Sequence, residues 1–369
     1  MPVANGYGVV MVDKLAVEAA IGAVLDPDLH LSLDELGAIR RIEMSGDGVE
    51  VEVSLAFEAS PLAAHLEAEV AQAVATTPGA PRASVVVVPL SADERAALAA
   101  KLKPETVIGS DGGTRVVAVS SGKGGVGKSS VTTNLAVALT EAGHSAVVID
   151  ADVWGFSIPK MLGIEAKPRV WGEMLVPPIG HGVRAISMDY FIEADQAVIW
   201  RGPMLHKALE QFLTDVLWGS PEFLLIDMPP GTGDVAISIS QFVPRALALI
   251  VTTPQITAQR VAKRAALMAA KVDQEVIGVV ENMSWFTGDD GKRYELFGHG
   301  GGAALAKEVG TDLLGQIPLV PAMREGADSG VPIVVSDPNG EAAVAFRSIA
   351  GAIVARRPRV RTHPDLKVG

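Results

Sequence analysis

Eight consecutive residues of this chain, Gly122-Lys123-Gly124-Gly125-Val126-Gly127-Lys128-Ser129, match the pattern G-x-x-x-x-G-K-[ST]. Glycines carry no Cβ, so successive backbone N–H groups can turn inward as an anion-binding nest, and a helix beginning near Lys128 adds its positive N-terminal end. The chemistry this spacing allows is nucleotide phosphate binding, with Lys128 directed to the β- and γ-phosphates, Ser129 to Mg2+, and Ser130 beside them. Two apolar runs end in carboxylates that suit the same task. Ala146-Val147-Val148-Ile149 leads into Asp150-Ala151-Asp152, and Phe223-Leu224-Leu225-Ile226 leads into Asp227. Of the first pair, one carboxylate can face the hydration shell of Mg2+ and the other an attacking water. Asp227 fits the second nucleotide-binding strand, where an aspartate holds Mg2+ through water. In-line hydrolysis depends mostly on such positioning and charge stabilisation.

The elements that must position these groups read as an α/β domain over residues 114–355. Apolar strands are expected at Val116–Ser120, Ala146–Asp150, Val183–Ser187, Phe223–Asp227, Ala248–Thr252 and Val276–Glu281, alternating with helical segments. That alternation predicts a mainly parallel sheet covered by helices on both faces, with ligands at the carboxyl ends of its strands. The closing helix, Glu341–Ala355, is expected to bury Val344, Ile349 and Ile353. A basic tail, residues 356–369, follows from Arg356-Arg357-Pro358.

Residues 1–97 read as a smaller α+β domain. Leu15–Leu25 has helical spacing and stops at Asp26-Pro27-Asp28. Ala38–Met44 and Val49–Phe57 form a strand pair across Gly46-Asp47-Gly48, the second alternating Val49, Val51, Val53 with Glu50 and Glu52. A helix over Pro61–Val74 follows, with Ser60 as N-cap and Pro61 at its first position. Ala83–Leu90 is a third strand. Ser91–Leu102 reads as a charged connecting helix, and residues 98–113, rich in glycine near Pro104, as the linker.

Composition excludes several functions. The 369 residues carry a formal charge of -12, which argues against a broad grip on DNA or anionic lipid, since either needs a basic surface. No DNA or membrane partner is expected. There is no cysteine, so the chain has no disulfide, no thiolate nucleophile and no thiolate ligand for zinc or an iron-sulfur cluster. The first residues lack a basic segment followed by a long apolar core, and no apolar run approaches the ~20 residues of a membrane helix. These features point to a cytoplasmic protein.

The second lysine of the loop, Lys123, resembles the signature lysine of the deviant Walker A ATPases, the MinD/ParA-like group of P-loop NTPases. The resemblance implies a homodimer in which Lys123 crosses to the partner's phosphates. It also implies that Asp152 orients the water and that Asp150 lies on the metal side. Longer blocks narrow the group: GKGGVGKSS from Gly122, DADVWGFSIP from Asp150, WRGPM from Trp200, IDMPPGTGD from Ile226, VTTPQ from Val251, VENMS from Val280 and FGHGGG from Phe297. Together they resemble the Mrp family of P-loop ATPases, the iron-sulfur cluster carrier proteins. The first domain resembles an iron-sulfur assembly domain, with Ser60 where that family commonly has cysteine.

The resemblance implies an ATPase with ATP and Mg2+ as cofactors, Asn282 hydrogen-bonding the adenine, and a role in iron-sulfur cluster assembly or transfer. Many relatives carry C-x-x-C shortly after the VENMS block; here Gly288 and Gly291 stand in those places. Asp289, Asp290, Glu295 and His299 lie nearby, but hard carboxylates suit Mg2+ or Ca2+ better than a sulfide cluster. The segment instead predicts a hairpin turning at Asp289-Asp290-Gly291. No iron-sulfur ligand is assigned. The alternative is a nucleotide-switched dimeric adaptor that localises or remodels a protein partner.

Overall fold

The computed structural model describes residues 13–45, 48–57, 60–79, 82–103, 107–110, 113–153, 155, 157–191, 202–231 and 233–356. The Gly46-Asp47 turn, Trp154, Phe156, Trp200, Arg201, Thr232 and the tail beyond Arg356 lie outside them. The described residues form two compact units: those up to Lys103 with Trp171–Met174, and the rest from Val107 onward.

The larger unit is built on an eight-stranded sheet. Its order is Leu313–Gln316, Glu275–Glu281, Leu247–Thr252, Arg115–Ser121, Phe223–Asp227, Ala146–Asp150, Val183–Ser187 and Ile179–Gly180. All neighbours pair in parallel except the last, which is antiparallel to Val183–Ser187. The short edge strands Leu313–Gln316 and Ile179–Gly180 are additions to the six that the sequence predicts. Arg115–Ser121, which feeds the glycine loop, is central, and its side chains alternate between two cores. Val117 and Val119 pack with helix Lys128–Glu141 and the closing helix, whereas Val116 and Ala118 pack with helices Gly202–Thr214 and Asp234–Phe242. A strand buried on both faces is the physical reason for its unbroken apolar run. Beyond it, Ala262, Ala265, Ala266 and Ala269 of helix Ile256–Lys271 cover Ala248 and Ile250, small residues that bring helix and sheet close.

The closing helix, Glu341–Ala355, buries Phe346, Ile349 and Ile353 together with Ala342, Ala343 and Ala350. Val344 is 55% exposed, which corrects its expected burial. Two residues along a helix turn the side chain by about 200°, so Val344 faces away from the stripe that Phe346 defines.

In the smaller unit, Ile39–Ser45 pairs antiparallel with Gly48–Leu55, which pairs in parallel with Arg82–Pro89. The crossover helix is Ala63–Ala75, beginning later than expected: its N-cap is Leu62, which makes no side-chain cap. Ser60 instead accepts the Leu62 N–H at 3.1 Å in the preceding turn, and Pro61 lies in that turn rather than at the first helical position. The first helix ends at Gly22, and Ser32 with Glu35 caps the short helix Leu33–Leu36 reciprocally. A second capping box, Ser91 with Glu94, starts helix Ala92–Leu102. Asp26 is fully buried and its Oδ1 accepts the N–H groups of Asp28 and Leu29, at 2.9 and 2.7 Å. Burial raises its pKa.

The buried stripe of the closing helix makes a direct test. Phe346→Ala is expected to cost ~3–5 kcal/mol and Val344→Ala within ~0.5 kcal/mol, both read from urea unfolding midpoints. Equal costs would contradict a helix that buries Phe346 and turns Val344 outward.

Candidate functional site

Strand Arg115–Ser121 ends where its neighbours end, and the chain crosses between them there. Met228 N–H bonds Val119 O at 3.1 Å, Gly231 N–H bonds Ser121 O at 2.9 Å, and Ala151 N–H bonds Asp227 O at 3.0 Å. These ties fix the three loops that leave the strands. Gly125 and Gly127 adopt φ of +78° and +79°, the left-handed region glycine tolerates, so the loop can close on itself before helix Lys128–Glu141 begins. The resulting cavity, of about 360 Å³, is lined by Ser121, the residues from Lys123 to Ser130, and Asp152, Gly155, Ser157, Met161 and Pro230.

Lys128 is the charge at its floor. Only 6% of its side chain is exposed, and its Nζ lies 2.7 Å from Asp227 Oδ1 and 3.8 Å from Asp152 Oδ2. Among the described residues no acceptor meets that ammonium in hydrogen-bond geometry. A buried cation with donors to spare within a glycine loop at a helix N-terminus is suited to an anion. Asp227, fully buried at its strand end, also accepts the Ser129 hydroxyl at 2.6 Å (Oδ2) and the Thr132 hydroxyl at 2.8 Å (Oδ1). Ser129 and Asp227 thus place two hard oxygen donors together, a donor set that fits Mg2+. Thr132, not foreseen from the sequence, lies one helical turn after Lys128; that i, i+4 spacing is its available signal.

Asp150 and Asp152 do not share the orientation expected of them. Asp152 lines the cavity. Asp150 turns back onto its own loop: Oδ1 accepts the Asp152 N–H at 3.2 Å, and Oδ2 accepts Ser157 N–H at 3.1 Å, Ile158 N–H at 3.2 Å and the Ser187 hydroxyl at 3.2 Å. Its carboxylate holds the start of the short helix Ile158–Met161. Asp150 and Asp227 are register partners on adjacent strands. Burial pushes the Asp150 carboxyl up to about 7, and the neighbouring Asp227 charge adds to this.

Asn282 packs against the glycine loop. It is buried and donates through Nδ2 to Val126 O at 2.9 Å, bracing the loop from behind. A Cβ on Gly127 would stand 2.3 Å from that nitrogen, so the glycine is required by packing as well as by φ. Lys123 donates to Gln255 Oε1 at 3.1 Å. Gln255, the last residue of the VTTPQ block, is thereby a further residue of the site. The predicted hairpin forms, with Phe286–Thr287 against Arg293–Tyr294 and Gly291 at φ +73°. Among the described residues no cluster of three His, Cys, Asp or Glu side chains is disposed to hold a metal ion, and Asp289, Asp290, Glu295 and His299 form none.

The Asp150 shift has a defined sign. Between 3.8 and about 7 the folded chain keeps a proton that the unfolded chain releases, so stability falls as pH rises through that window. Asp150→Asn lacks this proton. Urea unfolding of both proteins from about pH 4.5 to about pH 8 is expected to show the parent losing stability relative to the variant, and parallel profiles would refute it.

The geometry agrees with what the chain is similar to. Residues 113–354 match the model of the NUBPL iron-transfer P-loop NTPases, and residues 14–87 that of an iron-sulfur cluster assembly protein domain. An iron-sulfur cluster carrier protein of Mycobacterium tuberculosis is 45% identical over 355 residues, covering 93% of each chain. Another, from Deinococcus radiodurans, is 42% identical over 355 residues, covering 95% of this chain and 97% of its own. Among solved structures, a nucleotide-binding protein from Archaeoglobus fulgidus in complex with ADP is 33% identical, with a TM-score of 0.54 over 63% of this chain and 91% of its own. The cell division ATPase MinD of Pyrococcus furiosus, 24% identical with a TM-score of 0.50 over 65% of this chain and 98% of its own, shares the fold. With a matched phosphate loop, a buried lysine and carboxylates at adjoining strand ends, the chain belongs to the NUBPL iron-transfer P-loop NTPase family.

Proposed function

We propose that this chain is a cytoplasmic, Mg2+-dependent ATPase that works as a homodimer in iron-sulfur cluster assembly or transfer. The observation that carries the ATPase reading is the buried Lys128 ammonium inside the glycine loop, beside Asp227 and Asp152. Lys128 and the loop N–H groups bind and orient the phosphates. Ser129 and Asp227 are the residues that hold Mg2+, which supplies charge neutralisation on the phosphate oxygens when bound. Asp152, lining the cavity, orients the attacking water. Asp150 keeps its turn closed and thereby sets where Asp152 points. Lys123 contributes its charge to the phosphates across the dimer. Asn282 keeps Val126 and Gly127 in place under the nucleotide.

The cluster is cargo, and this chain has no thiolate to hold it. Hard carboxylates are poor ligands for sulfide-bridged iron. The cluster's ligands therefore come from a protein or thiol partner, whose engagement the nucleotide cycle controls. The same composition favours a second reading, an adaptor that localises or remodels its partner and never touches a cluster.

Lys128→Ala is expected to weaken ATP binding at least ~100-fold, because it removes the buried cation. Asp152→Ala should leave binding within ~3-fold while lowering turnover by ~100-fold, the scale of a lost water-orienting group. Equilibrium binding of ATP with Mg2+ and steady-state phosphate release measure both; unchanged turnover in Asp152→Ala would remove that residue from its role. Anaerobic reconstitution with iron and sulfide, then desalting, is expected to leave neither element on the isolated chain. Stoichiometric retention would show ligation by this chain's own oxygen and nitrogen donors.

A further inference from the structure

Lys123 lines the phosphate cavity, yet its ammonium is held from outside the loop, by Gln255 Oε1 at 3.1 Å. Gln255 occupies the N-cap position of the 16-residue helix Ile256–Lys271 but makes no capping bond with its side chain. The helix start therefore does not need the Gln255 amide. What the amide does is accept the Lys123 charge.

The turn that presents Gln255 is gripped from two sides. Gly122, the residue before Lys123, lies so close to helix Ile256–Lys271 that a Cβ on it would stand 2.2 Å from the Val261 carbonyl carbon and 2.3 Å from the Ala262 nitrogen. On the other side, a Cβ on Gly301 would stand 2.3 Å from Pro254 O. Gly301 is itself anchored, since the adjoining Gly302 N–H donates to the fully buried Glu281 Oε2 at 2.5 Å. Glu281 Oε1 in turn accepts from Gln316 Nε2 at 2.6 Å and the Ser284 hydroxyl at 3.0 Å. Gln255 thus stands on a part of the fold with little freedom to shift, directly against the loop whose lysine it holds.

Lysine has four rotatable side-chain bonds, and an ammonium left to solvent would spread over many rotamers. A fixed neutral acceptor removes that freedom without neutralising the charge. We propose that Gln255 is a positioning residue for Lys123, orienting its ammonium for phosphate during ATP hydrolysis; this rests on the ATPase reading above. The carbonyl oxygen is the operative atom, so a side chain of similar length without it cannot replace it.

The test is a double-mutant cycle on the full chain, with ATP and Mg2+ as substrate and phosphate release as readout: parent, Gln255→Ala, Lys123→Ala and the double variant, with Gln255→Met as a variant of similar length that lacks the carbonyl. Gln255→Ala is expected to lower kcat about tenfold, as for a lost hydrogen bond to a charged group, with an unchanged thermal midpoint. Gln255→Met should lose as much as Gln255→Ala, and in the Lys123→Ala background Gln255→Ala should change nothing further. An equal loss from Gln255→Ala in both backgrounds, or a Gln255→Met as active as the parent, overturns the positioning role while the ATPase reading stands. A parent without turnover overturns the ATPase reading and the positioning role with it.

Discussion

The constraint on which the rest of the site depends is the burial of Lys128 against Asp227, 2.7 Å apart at the end of the central strands. Two charges removed from water are tolerated only where geometry is tight and their remaining donors and acceptors are met. Asp227 meets this condition through Ser129 and Thr132, both on the helix that begins with Lys128. One carboxylate therefore ties the sheet to the first turn of the nucleotide helix. The next strand places Asp150 in register with it, and two adjacent carboxylates in a dry environment cannot both stay ionised cheaply. The preference of Asp150 for its proton relieves that repulsion, and the donors it meets keep it turned away from the lysine.

Around this charged floor the loop is held by contacts that involve no charge. Val126 O is bonded by Asn282, Gly127 has no room for a Cβ, and Gly122 is pressed on the backbone of a helix. The small residues of the loop thus serve two needs at once. Some permit a left-handed backbone, and others admit a neighbour that any side chain would displace. This explains how a segment as distant in the chain as Asn282 reaches the loop backbone at Val126.

Much of this is legible in the sequence, and for local reasons. The glycine loop, Lys128, Ser129 and Asp227 are set by spacing and by apolar runs that end in a carboxylate, so the main strands and the charged floor can be read directly. The partners of Asp150 are not legible because orientation at a strand end depends on the donors it meets, and Ser157, Ile158 and Ser187 come from segments whose meeting is tertiary. The contact of the Asn282 amide with Val126, 156 positions away in the chain, is tertiary and carries no local signal. Val344 is misplaced because its neighbour Phe346 sets the buried stripe, and an apolar residue two positions off it looks equally buried in a pattern of mixed alanines. Ser60 looks like a cap because Ser-Pro commonly opens a helix; the turn it closes delays that opening to Ala63.

The order of the sheet has a consequence for how the protein is made. The strand carrying the glycine loop, Arg115–Ser121, leaves the ribosome early, but its two partners are Phe223–Asp227 and Leu247–Thr252. Until both have been synthesised that strand has an unpaired edge, and Asp227 is not there to receive Lys128. The smaller unit, apart from Trp171–Met174, is complete in sequence by Lys103 and can fold while synthesis continues. The phosphate site assembles only late in translation, after its central strand has waited through the synthesis of the whole stretch from Gly122 to Glu222. A nascent chain of this design needs protection of exposed strand edges over that interval, and its nucleotide is available as a ligand that favours the finished sheet over every shorter intermediate.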